Sequence, residues 1–428
     1  MHTFNSTIKF LYGLQKYGMK FGLENIKKLC ESLENPHQDY PTIHIAGTNG
    51  KGSTSAMIAS VLTASGYKTG LYTSPHLLKF NERIRIDGKP ISNKELVSYT
   101  KMVRDEVKKT SATFFETTTA IAFKYFSDQK IDIAVIETGL GGRLDATNII
   151  TPLISIITNI GLEHTEYLGS TTSKIAREKA GIIKPFVPCL TAVRDEDAFG
   201  VIQSVARKSK STLKHIDDNT KLVFVKNDLQ AQYVDIKVGN TKLNNLKITM
   251  PGKFQKDNIR LSILAVTFLR EEFSYKITDQ SIRCGFADVK KFSGLRGRFD
   301  LLSNNPLIIG DVAHNTQAFI NLKATLFRLG IYKVIVVFGL MKDKDLNTIV
   351  QEIGDFARIV ITCSPITDRA IPSGRIASKF KSSNIPCIDG KTPKNSLKIA
   401  KNYANSKEII LITGSHYVLG EAMSFVDS

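Results

Sequence analysis

The stretch His44-Ile45-Ala46-Gly47-Thr48-Asn49-Gly50-Lys51-Gly52-Ser53-Thr54 runs from an apolar segment of strand length (42–46) into one of helical character (51–65). A glycine-rich turn between a strand and a helix is where an α/β protein cradles phosphate. Backbone N–H groups converge there, and the helix N-terminus presents the positive end of its dipole. The spelling departs twice from G-x-x-x-x-G-K-[ST]. Ile45 stands where the distant glycine is required, and Gly52 follows Lys51 where a hydroxyl residue is required, with Ser53 one place later. Placement outweighs spelling. Lys51 can neutralise the outer phosphates, and Ser53 or Thr54 can reach phosphate or metal. Thr48, Asn49, Gly50, Lys51, Gly52 and Ser53 are the expected nucleotide contacts.

Outward from this loop, apolar runs of strand length at 68–73, 131–137 and 153–158 alternate with helical patterns at 93–109 and 116–127. That alternation predicts a doubly wound parallel sheet. Short alternating runs between 212 and 249 predict hairpins, and 257–272 reads as a helix. A second alternation begins near Arg298, with strands expected at 307–310, 333–338, 358–362 and 408–413. Helices at 316–329, 346–356, 373–380 and 394–404 separate them. The basic, glycine-containing segment 290–297 is the expected linker. The chain's 428 residues exceed what one core usually serves. Two domains are expected, a larger one over 1–293 and a smaller one over 294–428.

Hydrophobic content of 42% and charged content of 23% are those of an ordinary globular chain. No apolar run reaches the roughly 18 residues of a membrane span. The first residues lack the order of a secretory signal, so a cytoplasmic protein without membrane attachment is expected. Cys30, Cys189, Cys284, Cys363 and Cys387 are scattered and form no C-x-x-C pair, which points away from zinc and disulfides. The net charge of +18 favours anionic ligands, yet the basic residues are dispersed and carry no nucleic-acid motif. A polyanionic small substrate is the reading taken, with no nucleic-acid partner.

Glu137 ends the strand 131–137 and opens ETGLGGRLDATN, which fails the dinucleotide pattern because Leu144 holds the last glycine position. A carboxylate at the carboxyl end of a parallel strand suits a magnesium site. His164 follows the strand 153–158 onto the same sheet edge.

The blocks AGTNGKGST, TSPHLLKFNERIRIDG, ETGLGGRLDATN, TNIGLEHTEYLG, REKAGIIK and DVAHN occur in the order found in folylpolyglutamate synthase/dihydrofolate synthase. The chain closely resembles that family, a member of the Mur ligase superfamily, over about 22–315. The resemblance then thins to GLMKDKD and GSHYVLG. It implies a P-loop nucleotide-binding doubly wound α/β domain followed by a smaller Rossmann-like α/β domain, acting as a monomer. It also accounts for the loop, since Mur-type ligases use a short G-T-N-G-K form.

The implied reaction is ATP-dependent. A pteroate or folate carboxylate takes the γ-phosphate, and the amine of L-glutamate displaces phosphate from the acyl phosphate. Dihydropteroate and reduced folates such as tetrahydrofolate are the implied substrates, with two Mg2+ sites. By resemblance, Ser74 and Glu137 hold the first magnesium and His164 contributes to the second. Lys179 matches a lysine that is carbamylated in relatives. Asn258, Arg298 and Asp311 match ATP contacts, the last two from the second domain. His314 and Ser415 match the glutamate side of the site. Thr113, Phe114, Phe115, Glu116, Leu144, Asp145 and Ala146 match the pteroate pocket, with Lys20 and Phe21 at its amino-terminal wall. Lys20 stands where one bifunctional pattern has an acidic residue, so a synthase restricted to folates is the alternative. Two other classes compete. A nucleic-acid-stimulated ATPase would show steep salt dependence, and a catalytically dead binder would lack Lys51, Glu137 or His164, all of which are present.

Overall fold

The computed structural model describes residues 3–18, 20, 22–405 and 408–426. Its largest sheet has eight strands: β1 (Thr42–Ala46), β2 (Thr69–Tyr72), β3 (Ile84–Ile86), β4 (Lys89–Pro90), β5 (Ile133–Glu137), β6 (Ile154–Ile157), β7 (Cys189–Thr191) and β8 (Leu213–His215). They lie in the order β4-β3-β2-β5-β1-β6-β7-β8. Every residue of β1, β5 and β6 is buried. Helices cover both faces of these strands, which is why they read as continuous apolar runs rather than as alternation.

The sheet is mixed rather than wholly parallel, since β3 pairs antiparallel with both β2 and β4. The cause is local. Asp87 and Gly88 both have positive φ, 50° and 75°, the geometry of a two-residue hairpin turn that Asp-Gly favours. The segment 212–249 also divides: Leu213–His215 closes the edge of the large sheet. The expected hairpins form an antiparallel trio of β9 (Thr220–Asn227), β10 (Gln232–Val238) and β11 (Thr241–Ile248).

The helix Lys51–Ala64 is buried from Gly52 through Leu62. It lies between the sheet and the helices Lys256–Glu272 and Asp279–Ala287, in one core with Ile43, Ile156, Ile263 and Phe286. Contact is closest at Gly285, where an added Cβ would stand 2.7 Å from Val61 Cα.

The second sheet comprises β12 (Asp300–Asn304), β13 (Leu307–Gly310), β14 (Val334–Phe338), β15 (Ala357–Cys363), β16 (Cys387–Lys391) and β17 (Ile409–Thr413). Their order is β12-β13-β17-β14-β15-β16, parallel except between β12 and β13. The expected linker is not a free connector. Its first part is a short helix, Val289–Ser293, with Val289 and Ser293 buried. Gly294 and Gly88 then meet so closely that a Cβ on Gly294 would lie 2.5 Å from the Gly88 carbonyl. Gly297, at φ 77°, turns the chain into the second domain. Among the described residues no helix is long and apolar enough to cross a membrane.

Gly285→Ala tests the tightest helix contact. Overpacking of this kind costs about 1–3 kcal/mol, so the urea midpoint of the first domain is expected to fall.

Candidate active site

The sheet register assembles the site. β1 pairs Ile45 with Glu137 of β5 and Ala46 with Ile157 of β6, so all three strands end at one edge. Gly47 leaves β1 at φ 153° against Thr158, and a Cβ there would stand 1.8 Å from Thr158 Oγ1. The loop is tied down from the β6 side. Thr158 Oγ1 donates to the Asn49 carbonyl at 2.7 Å, and the Asn49 N–H donates to Asn159 Oδ1 at 2.7 Å. Thr48 Oγ1 bonds Gly161 in both directions.

Thr48 and Asn49 therefore shape the loop. The N–H groups of Lys51, Gly52 and Ser53 precede the first intrahelical bond, from Thr54 N–H to the Gly50 carbonyl, and are the donors offered to an anion. Lys51 Nζ lies back over the loop on the carbonyls of Gly47 (2.9 Å) and Thr48 (3.2 Å).

A cleft between the two domains opens onto this loop. Its lining includes Asn49, Gly50, Ser53, Asn258, Arg298, Asp311 and His314. Asn258 sits directly over Gly50, whose added Cβ would be 2.2 Å from Asn258 Oδ1. Asn258 Nδ2 donates to Gln255 Oε1 at 2.7 Å. Asp311 is fixed by the N–H groups of Phe299 and Ala313, both at 2.8 Å. Burial raises its pKa, against the pull of Arg298. Burial also weakens the hold of the Arg298 guanidinium on its proton, which Asp311 and Glu137 oppose.

Beyond Gly52 a small chamber is lined by Ser74, Glu137, Arg298 and His416, among others. Glu137 Oε2 accepts the Ser74 N–H at 3.1 Å. Burial raises the Glu137 pKa, and Lys51 is the largest opposing influence.

His164 starts a helical turn at φ 50°. Its Nε2 is 3.8 Å from Glu163 Oε1. The same oxygen is 3.7 Å from His314 Nε2 and 3.9 Å from Lys344 Nζ, both from the second domain. Burial would raise the Glu163 pKa, yet His314, Lys51 and His164 hold it at about 2. His314 is oriented by Nδ1, which is 2.8 Å from the Val312 carbonyl. Lys179 is buried, and its Nζ donates to the Gly47 carbonyl at 2.6 Å. Desolvation, helped by Lys51, lowers its pKa to about 7.

The other expected residues divide. The Phe114 ring stacks on Tyr12 at 5.8 Å and 15°, and the Arg83 guanidinium lies over it at 5.2 Å. Arg83 Nε donates to His76 Nδ1 at 2.8 Å, and the Tyr12 hydroxyl meets His76 Nε2 at 3.2 Å. The Phe115 ring instead fills the space beside Gly139. Thr113 and Glu116 cap the helix Phe114–Asp128 reciprocally, and Asn25 also donates to Glu116. Asp145 accepts from the N–H groups of Leu140 and Thr147, which organises the ETGLGG loop. Leu144 is half-buried beside it, and Ala146 joins the core. Lys20 is exposed and donates to the Ser111 carbonyl at 2.8 Å. Phe21 lies outside the described residues. Ser415 caps the helix His416–Met423 by accepting the Val418 N–H, so the residue lining the chamber is His416.

Sequence reasoning missed His76, Arg83, Glu163, Lys344 and His416. Of these, Glu163 and His416 carried a signal, each as the neighbour of a singled-out residue, His164 and Ser415.

The Mur ligase middle domain matches residues 45–266, and the Mur ligase glutamate ligase domain matches 297–416. The architecture is that of a Mur ligase. The dihydrofolate synthase/folylpolyglutamate synthase of Bacillus subtilis is 34% identical, over 96% of each chain. The folylpolyglutamate synthase structure from Thermotoga maritima superposes with TM-score 0.86 at 32% identity, covering 99% of this chain and 97% of that one. Escherichia coli FolC in complex with DHPP and ADP gives TM-score 0.88 at 25% identity, covering 98% and 97%. This chain belongs to the dihydrofolate synthase/folylpolyglutamate synthase family.

The Lys179 pKa makes a prediction with a definite sign. The unfolded lysine binds its proton up to about 10.5, whereas the folded one releases it near 7. Between these values the unfolded state holds more protons, so stability rises with pH. The melting temperature of the wild type is expected to climb relative to Lys179→Met from pH 7 to pH 10. A constant difference would contradict the buried amine.

Proposed function

We propose that this chain ligates L-glutamate to dihydropteroate and to the γ-carboxylate of tetrahydrofolate at the expense of ATP, through an acyl phosphate. The observation that carries the reading is Glu137, a buried acid within the electrostatic reach of Lys51 from the phosphate loop and of Arg298 from the second domain, in a chamber that Arg298 also lines. Residues 1–293 supply the phosphate loop and the pteroate wall, and residues 294–428 supply Arg298, Asp311 and His314. The substrate carboxylate oxygen attacks the γ-phosphorus and ADP departs. The glutamate nitrogen then attacks the acyl carbon, loses a proton and expels phosphate. No protein nucleophile is needed. The chain binds, orients and neutralises charge, and domain closure keeps water from the acyl phosphate.

In this reading Lys51, Arg298 and the first-turn N–H groups contact the phosphates. Glu137 and Ser74 offer hard oxygen donors in the small chamber beside the loop. Magnesium keeps several waters and takes its remaining ligands from one or two carboxylates and the phosphates, so this donor set fits it. When bound, magnesium would neutralise charge on the transferring phosphoryl group. Lys179, with its proton loosely held, is suited to react with carbon dioxide. The ammonium first releases one proton to free the amine, the N–C bond then forms on carbon dioxide with loss of a second proton, and a cation is thereby replaced by a carboxylate-like anion near the loop. A carbamate signal from labelled bicarbonate, absent in Lys179→Met, would support this.

Phosphate release with ATP, magnesium and glutamate, measured with dihydropteroate and tetrahydrofolate separately, tests the reading. Release with neither substrate refutes it, and release with tetrahydrofolate alone leaves the monofunctional alternative. Lys51→Ala and Glu137→Ala are expected to abolish turnover in a folded chain. Phe114→Ala is expected to raise the KM for the pteroate substrate about tenfold, the worth of one aromatic contact, while the KM for ATP holds.

A further inference from the structure

We propose that Leu77 is a positioning residue that couples the seat of Ser74 to closure of the two domains. The loop after β2 carries Ser74 beside Glu137, with the Ser74 N–H on Glu137 Oε2. Three residues later the same loop reaches the other domain. The Leu77 side chain packs with the second-domain cluster that contains Val312, Val418 and Leu419. Its carbonyl oxygen faces Gly420 so closely that a Cβ there would lie 2.0 Å away. Gly297, where the chain turns into the second domain, touches the same side chain, with 3.4 Å between its added Cβ and Leu77 Cδ2.

Ser74 and Leu77 are three residues apart, and Arg83 Nε holds His76 between them by donating to Nδ1 at 2.8 Å, so a displacement at one end reaches the other. Glu82 Oε2 accepts the Leu77 N–H at 2.8 Å, and Glu82 Oε1 accepts those of Leu78 at 3.0 Å and Lys79 at 2.8 Å. A first-domain loop that holds an expected phosphate-side residue is thus plugged into the second domain's core. Gly420, having no side chain, lets the two backbones approach there. Parting the domains must lift Leu77 from its seat and disturb Ser74 and the chamber behind it, which Leu77 also lines. An ordinary packing residue would lend stability and nothing more. A coupling residue would also govern commitment of the acyl phosphate to the amine rather than to water.

The coupling rests on the ligase reading, and the experiment separates the two. Leu77→Ala, Gly420→Ala and the volume-conserving Leu77→Met are made in the full chain. Amide hydrogen exchange without substrates is expected to rise about tenfold or more in both 74–79 and 416–420 for the first two variants, while β1 and β14 keep wild-type rates. In turnover, kcat is expected to fall about tenfold or more, the KM for ATP to change less than about threefold, and phosphate release to exceed amide formation. Leu77→Met is expected to restore both readouts. A rise confined to 74–79, a rise spread through the core strands, or tight stoichiometry with kcat within about twofold of wild type would overturn the coupling. If the wild type releases no phosphate with either substrate, the ligase reading fails, and the exchange measurements still decide whether the two segments move together.

Discussion

The parallel pairing of β1 with β5 on one side and β6 on the other is the constraint on which the site depends. Because Ile45 lies beside Glu137 and Ala46 beside Ile157, three strand ends converge within one turn of the phosphate loop. A slip of one residue in the β1–β5 pairing would turn Glu137 to the other face of the sheet. Pairing also explains why Gly47 is glycine: the β1 and β6 exits approach so closely that Thr158 already occupies the space of a side chain. The loop's shape is imposed by its neighbours as much as by its own residues.

Around that loop the chain buries charges that would be unfavourable singly. Glu137, Asp311 and Lys179 are buried and Arg298 is half-buried, and desolvation pushes each toward its neutral form. Charges of opposite sign partly offset this, and several of the pairings cross between domains. Arg298 faces both Asp311 and Glu137, and Glu163 of the first domain faces His314 and Lys344 of the second. Electrostatics and closure are therefore one problem here, since parting the domains would strand charges that now have partners.

Much of this was legible in the sequence because it resides in local pattern. The buried strands announce themselves as apolar runs, and the loop is marked by its glycines and by Lys51 between a strand and a helix. What sequence reasoning missed depends on tertiary approach. Short strands such as β3 and β7 hold three residues each and show no periodicity. The Asp87-Gly88 pair is a hairpin signal written in the sequence itself. His76 and Arg83 gain meaning only when the amino-terminal helix brings Tyr12 over Phe114. Thr113 and Glu116 illustrate the converse, since residues matched to a pocket also form a capping box, a pattern with its own local reading.

The contact between Gly88 and Gly294 bears on how such a chain can be recombined. Connections between domains are ordinarily where a polypeptide tolerates cutting and joining, because few contacts cross them. Here the connection is knitted to the hairpin of β3 and β4, about two hundred residues earlier in the chain, with no room for a methyl group on either side. A chimera that takes its carboxyl-terminal domain from a homologue must inherit the matching hairpin as well. The exchangeable module of this fold is thus discontinuous in sequence, and its boundary is drawn by backbone fit rather than by the end of a sheet.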